Sequence, residues 1–415
     1  MPRPALDDDE ALRRFAAYYG FEHGLLSGSD PYRIEGARPG FDGAVKRIRI
    51  VENGRFGNIV IQLFHAAWLA RQLGCEEIEA FPFDGGPAAE RVNAGGLRFR
   101  FPPAGDRDPA GPATLVGHFF NSYPFESALR AIAPSVAWAV MQDVLRPMFR
   151  HIWGAPAACG DQTLVVHFRA GDVFADPRVS PWYVQPPASY YQMAIAFARR
   201  ELGTSDVRLV FEDRRNPAIA VTEAWLRQSG IPYCVQSSDL VGDAICLATA
   251  RHLVASVSTL TEVAAILSDR LRTYIAFRQI ESHLAIHQRT HPLIEGLLRE
   301  KNVRLLVVRD TDGGYPEPPS WRADPDQVQL LKTYPASALA MIETASDIEM
   351  MSDADLLHRR LAATELEAIR LREALVATRG RLLRLERSRG QRMFQRFHAA
   401  RRALRLPWFR EPPAH

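Results

Sequence analysis

The chain has 415 residues, 47% of them hydrophobic and 24% charged, with a formal net charge of +3. That length exceeds one ordinary core and suits two folded domains plus an appendage, and the composition excludes a wholly disordered or fibrous chain. Cys75, Cys159, Cys234 and Cys246 show no CxxC spacing, which argues against a zinc knuckle and a disulfide framework and points to a reduced, cytoplasmic protein. The start, MPRPALDDDEALRRF, lacks the apolar stretch of a secretion signal. Nowhere do about eighteen uncharged apolar residues run together, so any work at a membrane is expected from its surface.

Residues 1–43 read as a loosely organised lead-in, with a short helix from Glu10 to Tyr19 and a Gly/Pro-rich loop at GARPGFDGA. An N-terminal α/β domain is expected over 44–155. It opens with a strand from Val45 to Val51, the glycine-containing turn Glu52 to Asn58, and a helix from Ile59 to Leu73. Strands follow at Glu77 to Phe81 and Thr114 to Phe120, then one or two helices between Glu126 and Phe149. Gly154, Pro156 and Gly160 mark the boundary.

A second α/β domain is expected over 156–310. Its first strand, Leu164 to Val166, ends abruptly in His167, Arg169, Gly171 and Asp172. Pro186 and Pro187 start a helix that continues to Leu202. Strands at Val207 to Phe211, Ile231 to Gln236, Leu253 to Ser256 and Thr273 to Phe277 then alternate with helices at Ala218 to Gln228, Leu240 to Ala250 and Leu260 to Ser268. Such alternation specifies a parallel sheet with right-handed crossovers, and two such Rossmann-like domains facing each other make a cleft.

Polar groups collect at three strand ends of the second domain. Arg169 suits a planar, bidentate clamp for an anion, and Ser256, Ser258 and Thr259 precede a helix whose free N–H groups suit a diphosphate. Glu212 and Asp213, one strand over, sit where acids accept hydrogen bonds from a ribose or base. Taken singly, Ser258 and Thr259 read equally as a plain helix cap, and Glu212 and Asp213 as a solvated loop. The DxD pairs Asp106/Asp108 and Asp324/Asp326 follow no convincing strand and read as loop composition, so no metal site is expected. HExxH, GxSxG and GxxxxGK[ST] are absent, which removes the usual signatures of zinc proteolysis, serine esterases and NTP hydrolysis.

The pairing of GRFGN at the first strand–helix turn with HFRAGD after the central strand resembles the glycosyltransferase superfamily of α1,2-, α1,6- and protein O-fucosyltransferases. Gln62 falls where the first motif of that family has a glutamine, and SVSTLTEVAAIL is similar to its last donor-site motif. The resemblance spans about Val45 to Phe277. It implies a GT-B-like fold, inverting transfer without a metal cofactor, and GDP-fucose as donor. It implies further that Arg169 holds the diphosphate with His167, Gly171 and Asp172 shaping its pocket, while Gly57 and Asn58 line the cleft. Two departures stand out. Ala170 occupies a position where many relatives have a second arginine, and Arg55 and Phe56 replace smaller residues. An inverting transfer needs a base and a stabiliser of the leaving group. Asp172 and Glu52 are the candidates for base, with His167 third; Arg55, Gln62, Tyr183 and Tyr190 join the expected acceptor side, where aromatic rings suit a sugar face or the core equally.

Beyond Arg309 a Pro/Gly-rich linker is expected over 311–335, followed by a helical, basic extension over 336–415. A 4-3 spacing runs from Leu357 through Leu361, Thr364, Ala368, Leu371, Leu375, Thr378 and Leu382 to Leu385, a coiled-coil seam suited to homo-oligomers. Between Arg379 and Arg410 eleven arginines face one acid, Glu386, a run suited to an anionic membrane surface, where a glycan or lipid-linked acceptor would be met. No nucleic-acid partner is expected, because the rest of the chain is not basic. A non-catalytic scaffold presenting the coiled coil is the competing reading.

Overall fold

The computed structural model describes residues 7–27, 32–51, 55–81, 91–103, 111–120, 125, 134–154, 159–175, 183–237, 239–277, 303–316 and 320–343. The expected base Glu52, the Asp106/Asp108 pair, the seam over 357–385 and the basic run over 379–410 lie outside the described residues.

Two parallel-rich sheets organise the chain, and each grows from the strand–helix alternation already visible in the sequence. The first contains β1 (Arg33–Glu35), β2 (Arg47–Ile50), β3 (Glu77–Glu79), β4 (Arg91–Ala94), β5 (Leu97–Arg100) and β6 (Thr114–Gly117), in the spatial order β1-β6-β2-β3-β5-β4. β6, β2, β3 and β5 run parallel, while β1 and β4 are antiparallel edges. The strand Arg-Ile-Arg-Ile alternates because Ile48 and Ile50 enter the core. Arg47 and Arg49, on the opposite face, pair with Glu77 and Glu79, their partners in register on β3.

Helix α1 (Asp8–Tyr19) opens the chain with Asp7 as its N-cap, and α2 (His23–Leu26) follows. The lead-in is better organised than its composition suggests. Ala11, Leu12 and Phe15 are buried in the first core, and β1 adds a strand beside β6, so 7–27 and 32–43 belong to the first sheet's layer. Helix α3 (Phe56–Leu73) is buried along most of its length and ends at Gly74, whose φ of 68° makes the left-handed cap. The helices α4 (Pro134–Val140) and α5 (Arg146–Trp153) are joined by a π-helical turn, Met141–Leu145.

The second sheet is built from β7 (Thr163–Phe168), β8 (Asp206–Phe211), β9 (Tyr233–Gln236), β10 (His252–Val254), β11 (Thr273–Phe277), β12 (Arg304–Asp310) and β13 (Leu339–Glu343), in the order β13-β12-β11-β10-β7-β8-β9. All are parallel except β13, which pairs antiparallel with β12. Its helices are α6 (Asp172–Ala175), α7 (Ala188–Glu201), α8 (Pro217–Gln228), α9 (Leu240–Ala248), α10 (Thr259–Leu267) and α11 (Pro325–Thr333).

The linker expected over 311–335 and the helix expected from Ala336 are corrected. Residues 325–333 form α11 with Asp324 as N-cap, and 339–343 are the edge strand β13. Trp321 is buried and donates through Nε1 to the Val173 carbonyl at 3.2 Å. The Tyr315 hydroxyl donates to the Gln185 carbonyl at 2.6 Å, and Tyr334 donates to Asp310 Oδ1 at 2.6 Å. A stretch rich in Pro and Gly therefore packs through its aromatic rings, whose burial outweighs the turn-forming bias of their neighbours.

Helix α10 ties the two layers together. Val263, Ile266 and Leu267 belong to the first core, whereas Ala264 and Ala265 face the second sheet's outer cluster. Arg146, buried in α5 beneath the Trp138 ring, donates through Nη2 to the carbonyls of Ile266 at 2.7 Å and Ser268 at 2.6 Å. It thereby satisfies the orphan carbonyls at the C-terminal end of α10. Burial lowers the Arg146 pKa to about 10, with Asp269 opposing that shift. Arg146→Met is expected to reduce stability by about 2–3 kcal/mol in urea unfolding, because two enclosed carbonyls lose a charged donor. Arg150→Ala, which removes only the exposed ion pair to Asp269, is expected to cost less than about 1 kcal/mol.

Candidate functional site

The order β10-β7-β8 brings three strand ends side by side. At the end of β7, His167 Nδ1 lies 2.7 Å from Ser256 Oγ, beyond the end of β10. Arg169 follows, its backbone carbonyl accepting from Asn216 Nδ2 at 2.9 Å. Asn216 also N-caps α8, accepting from the Ala218 N–H at 3.0 Å, so one amide fixes both a helix start and the arginine loop. Asn-Pro at 216–217 is a helix-start signature, and its reach across to Arg169 is tertiary.

Gly171 is required by its backbone, whose φ of +65° lies in the left-handed region that favours glycine. Its N–H donates to Asp213 Oδ1 at 3.2 Å, so the β7 and β8 loops are laced together directly. Asp213 also accepts from the Arg215 N–H at 2.9 Å, which makes it a loop-forming residue in addition to a strand-end acid.

The charged groups form a chain. Arg169 Nη2 donates to Asp172 Oδ1 at 2.6 Å, Arg55 Nη2 lies 3.6 Å from Asp172 Oδ2, and Arg55 Nη1 donates to Glu212 Oε2 at 2.8 Å. The Arg169 side chain is 15% exposed, and its enclosed Nε meets no acceptor among the described residues. Asp172, Glu212 and Arg55 are far more open, at 40%, 53% and 47%. Arg55 thus reaches from the turn before α3 to acids of the second sheet. Its neighbour Phe56 packs on Phe149 and Trp153, with ring centroids 5.9 and 6.1 Å away. The two residues that depart from the first motif are accounted for by these contacts. Ala170 is buried at 1% exposure, which leaves no room at that position for an arginine.

The N-terminus of α10 is met by α3. Ser258 is the N-cap, accepting from the Leu260 N–H at 3.3 Å, and Thr259 Oγ1 donates to Asn58 Oδ1 at 3.2 Å. A Cβ at Gly57 would lie 2.6 Å from Thr259 Oγ1 and 2.8 and 2.9 Å from backbone atoms of Thr259 and Leu260. The open cleft expected between the layers is therefore closed at this point by helix-to-helix contact.

Several expected roles change with depth. Gln62 is fully buried, and its Oε1 accepts from the Phe119 N–H at 3.1 Å; it anchors α3 to the turn after β6 and lines no acceptor surface. Tyr190 is likewise buried, its hydroxyl donating to the carbonyls of Ala255 at 2.7 Å and Ile275 at 2.9 Å, so it joins the ends of β10 and β11 and stacks on no sugar. His167 is enclosed, and burial together with the nearby Arg169 charge lowers its pKa to about 3. A ring held neutral in this way positions Ser256 and is poorly placed to collect protons from an acceptor. Tyr183 remains half-buried. Burial raises its pKa foremost; the charges of Arg169 and Arg55 oppose that rise, and those of Glu262 and Asp172 add to it.

Glu262 was not among the residues expected from sequence. It lies in the first turn of α10, where an acid reads as a solvated partner of the helix dipole. Here it is 6% exposed, and burial pushes its carboxyl up to about 8. The first turn of α10 therefore holds an enclosed acid that keeps its proton near neutrality.

No family model matches the chain, and no curated protein matches its sequence. Among solved structures, POFUT1 in complex with GDP is similar at 13% identity and a TM-score of 0.33, covering 56% of this chain and 98% of that one. POFUT1 in complex with GDP-fucose is similar at 12% identity and a TM-score of 0.35, covering 56% and 97%. The E. coli heptosyltransferase WaaC with ADP is similar at 12% identity and a TM-score of 0.29, covering 56% and 87%.

Gly57→Ala is expected to lower stability by about 1–2 kcal/mol in a thermal melt, since the added methyl meets backbone atoms and outweighs the better helix propensity of alanine. Gly24→Ala, with nothing within 4 Å of the added carbon, is expected to leave it unchanged. For Glu262, the folded pKa of about 8 exceeds the ordinary 4.5, so the folded state holds the proton more tightly. Its stabilising contribution is complete below about pH 4.5 and is lost as pH rises through about 8. Glu262→Gln is expected to flatten the decline of stability over that window, measured by urea unfolding from pH 5 to 8.

Proposed function

We propose that this chain is a glycosyltransferase of GT-B type, inverting and independent of a metal cofactor, that binds a nucleotide sugar at the adjoining ends of β7, β8 and β10. The observation that carries this reading is Arg169, a nearly enclosed guanidinium with an unoccupied Nε–H edge, at the junction of three strand ends. Parallel sheets present ligand sites at the carboxyl ends of their strands, and a guanidinium there suits a diphosphate. More narrowly, the motifs GRFGN and HFRAGD favour transfer of fucose from GDP-fucose to a hydroxyl of a glycan or glycolipid.

In this reading Arg169 exchanges its carboxylate partner for the diphosphate, and its charge balances the leaving group as the sugar–phosphate bond breaks. Asp172, released from Arg169, takes the proton of the acceptor hydroxyl. Glu262 and Tyr183 offer hydrogen bonds to the donor from the α10 side, and Glu212 and Asp213 hold the loops that frame it. Arg55 must move off Glu212 and Asp172, or itself turn to the phosphates, for the donor to enter.

GDP-fucose is expected to raise the melting temperature of the intact chain, and the rise is expected to persist in excess chelator. Arg169→Ala is expected to abolish the shift, and Arg169→Lys to weaken donor binding by at least about tenfold, since a point charge replaces a planar fork. Absence of a shift with any GDP-, UDP-, CMP- or TDP-sugar would overturn the proposal. A shift with a sugar other than GDP-fucose would overturn only the donor assignment.

A further inference from the structure

Two of the four cysteines scattered in sequence are neighbours in space. Cys159, on the segment entering β7, and Cys246, in the last turn of α9, are both buried with their sulfurs 3.6 Å apart. Around them stand groups that favour a negative sulfur. Thr249 Oγ1 lies 3.7 Å and Arg208 Nη1 3.8 Å from Cys159 Sγ. The hydrogen bond that the two sulfurs share lowers the Cys159 pKa most; burial opposes, and Thr249, Arg208 and Arg270 reinforce the lowering, while the Cys159 thiol also donates to the Cys246 carbonyl at 3.5 Å. The same hydrogen bond, with burial, raises that of Cys246. One thiol is thus prepared to lose its proton while its neighbour keeps one.

Cys75 and Cys234 have no second thiol beside them among the described residues, although Arg208 also reaches Cys234. Cys75 donates to the Val45 carbonyl at 3.5 Å, and burial pushes its thiol up to about 12. Cys234 is exposed on β9, opposite Arg208 in register. A disulfide needs the sulfurs at about 2.05 Å, so closure asks for roughly 1.5 Å of combined movement. That is within reach of two side-chain rotations and a small shift of the segment ahead of β7.

We propose that Cys159 and Cys246 are a peroxide-oxidisable pair that closes into a reversible disulfide. The Cys159 sulfur attacks one peroxide oxygen and breaks the O–O bond; the departing hydroxide takes a proton and leaves as water, and Cys159 becomes a sulfenic acid. The Cys246 sulfur then attacks the Cys159 sulfur, its proton leaving with the hydroxyl as a second water. Two electrons pass from the sulfurs to one peroxide, and a dithiol reductant restores both thiols. The crosslink joins α9 to the chain entering β7. Because α9 packs on α10, the pair lies one helix away from the candidate site.

The test uses the full reduced chain, treated with one equivalent of hydrogen peroxide, alkylated, digested without reductant and mapped by mass spectrometry. The free thiol count is expected to fall from four to two, with a Cys159–Cys246 crosslinked peptide that dithiothreitol abolishes. In Cys246→Ser, Cys159 is expected to take a dimedone label in place of the crosslink. Peroxide consuming Cys234 first, a crosslink that includes Cys234, or Cys159 and Cys246 both remaining open to alkylation would overturn the proposal. The mapping in the unmodified chain stands even if the serine variant fails to fold.

Discussion

Helix α10 is the part on which the two sheets depend. Its C-terminal carbonyls are satisfied by Arg146 from the first layer, and its N-terminal turn is approached by Gly57 and Asn58 of α3. Nine residues therefore carry contacts at both ends and on both faces, with Val263, Ile266 and Leu267 in one core and Ala264 and Ala265 against another. A helix of that length is marginal alone, so its place is set by packing and by the capping of its ends. Any relative movement of the layers must pass through it.

The second organising feature is the charge chain from Arg169 through Asp172 and Arg55 to Glu212. Its members differ in exposure, and that difference assigns them different work. Arg169 is nearly enclosed, and its Nη2 is held by Asp172. Arg55, Asp172 and Glu212 are open to water, and exposed pairs of this kind are weak enough to exchange partners. The chain thus has one enclosed member, a guanidinium, and open members that can exchange partners. Gly171 lets the loop between Arg169 and Asp172 turn, because its φ of +65° is one that other residues rarely adopt.

Much of the fold was legible in the sequence because strand and helix differ in apolar period. The strand at Thr273–Phe277 and the helices at Phe56–Leu73 and Pro217–Gln228 fall where their patterns place them, to within a few residues. The misses have a common cause. Strand Leu339–Glu343 and helix Pro325–Thr333 are short and follow a stretch of prolines and glycines, so local composition pointed to a linker; only the burial of Trp321 and Tyr315 shows that the stretch belongs to the core. The hairpin Arg91–Ala94 and Leu97–Arg100, at the edge of the first sheet, is polar on one face and too brief for its alternation to register.

The sequence by itself determined that two α/β layers would form and that polar residues would gather at particular strand ends, because alternation and chain order are one-dimensional properties. Only the tertiary structure decided depth and company. Gln62 and Tyr190, equally suited on paper to a ligand or to the core, went to the core, where backbone N–H and C=O groups needed their polar atoms. Glu262, on which the sequence offered no reading, became an enclosed acid, and Cys159 and Cys246, 87 positions apart, became neighbours. Desolvation and proximity depend on what lies across the packed interface, and no local pattern along the chain encodes them.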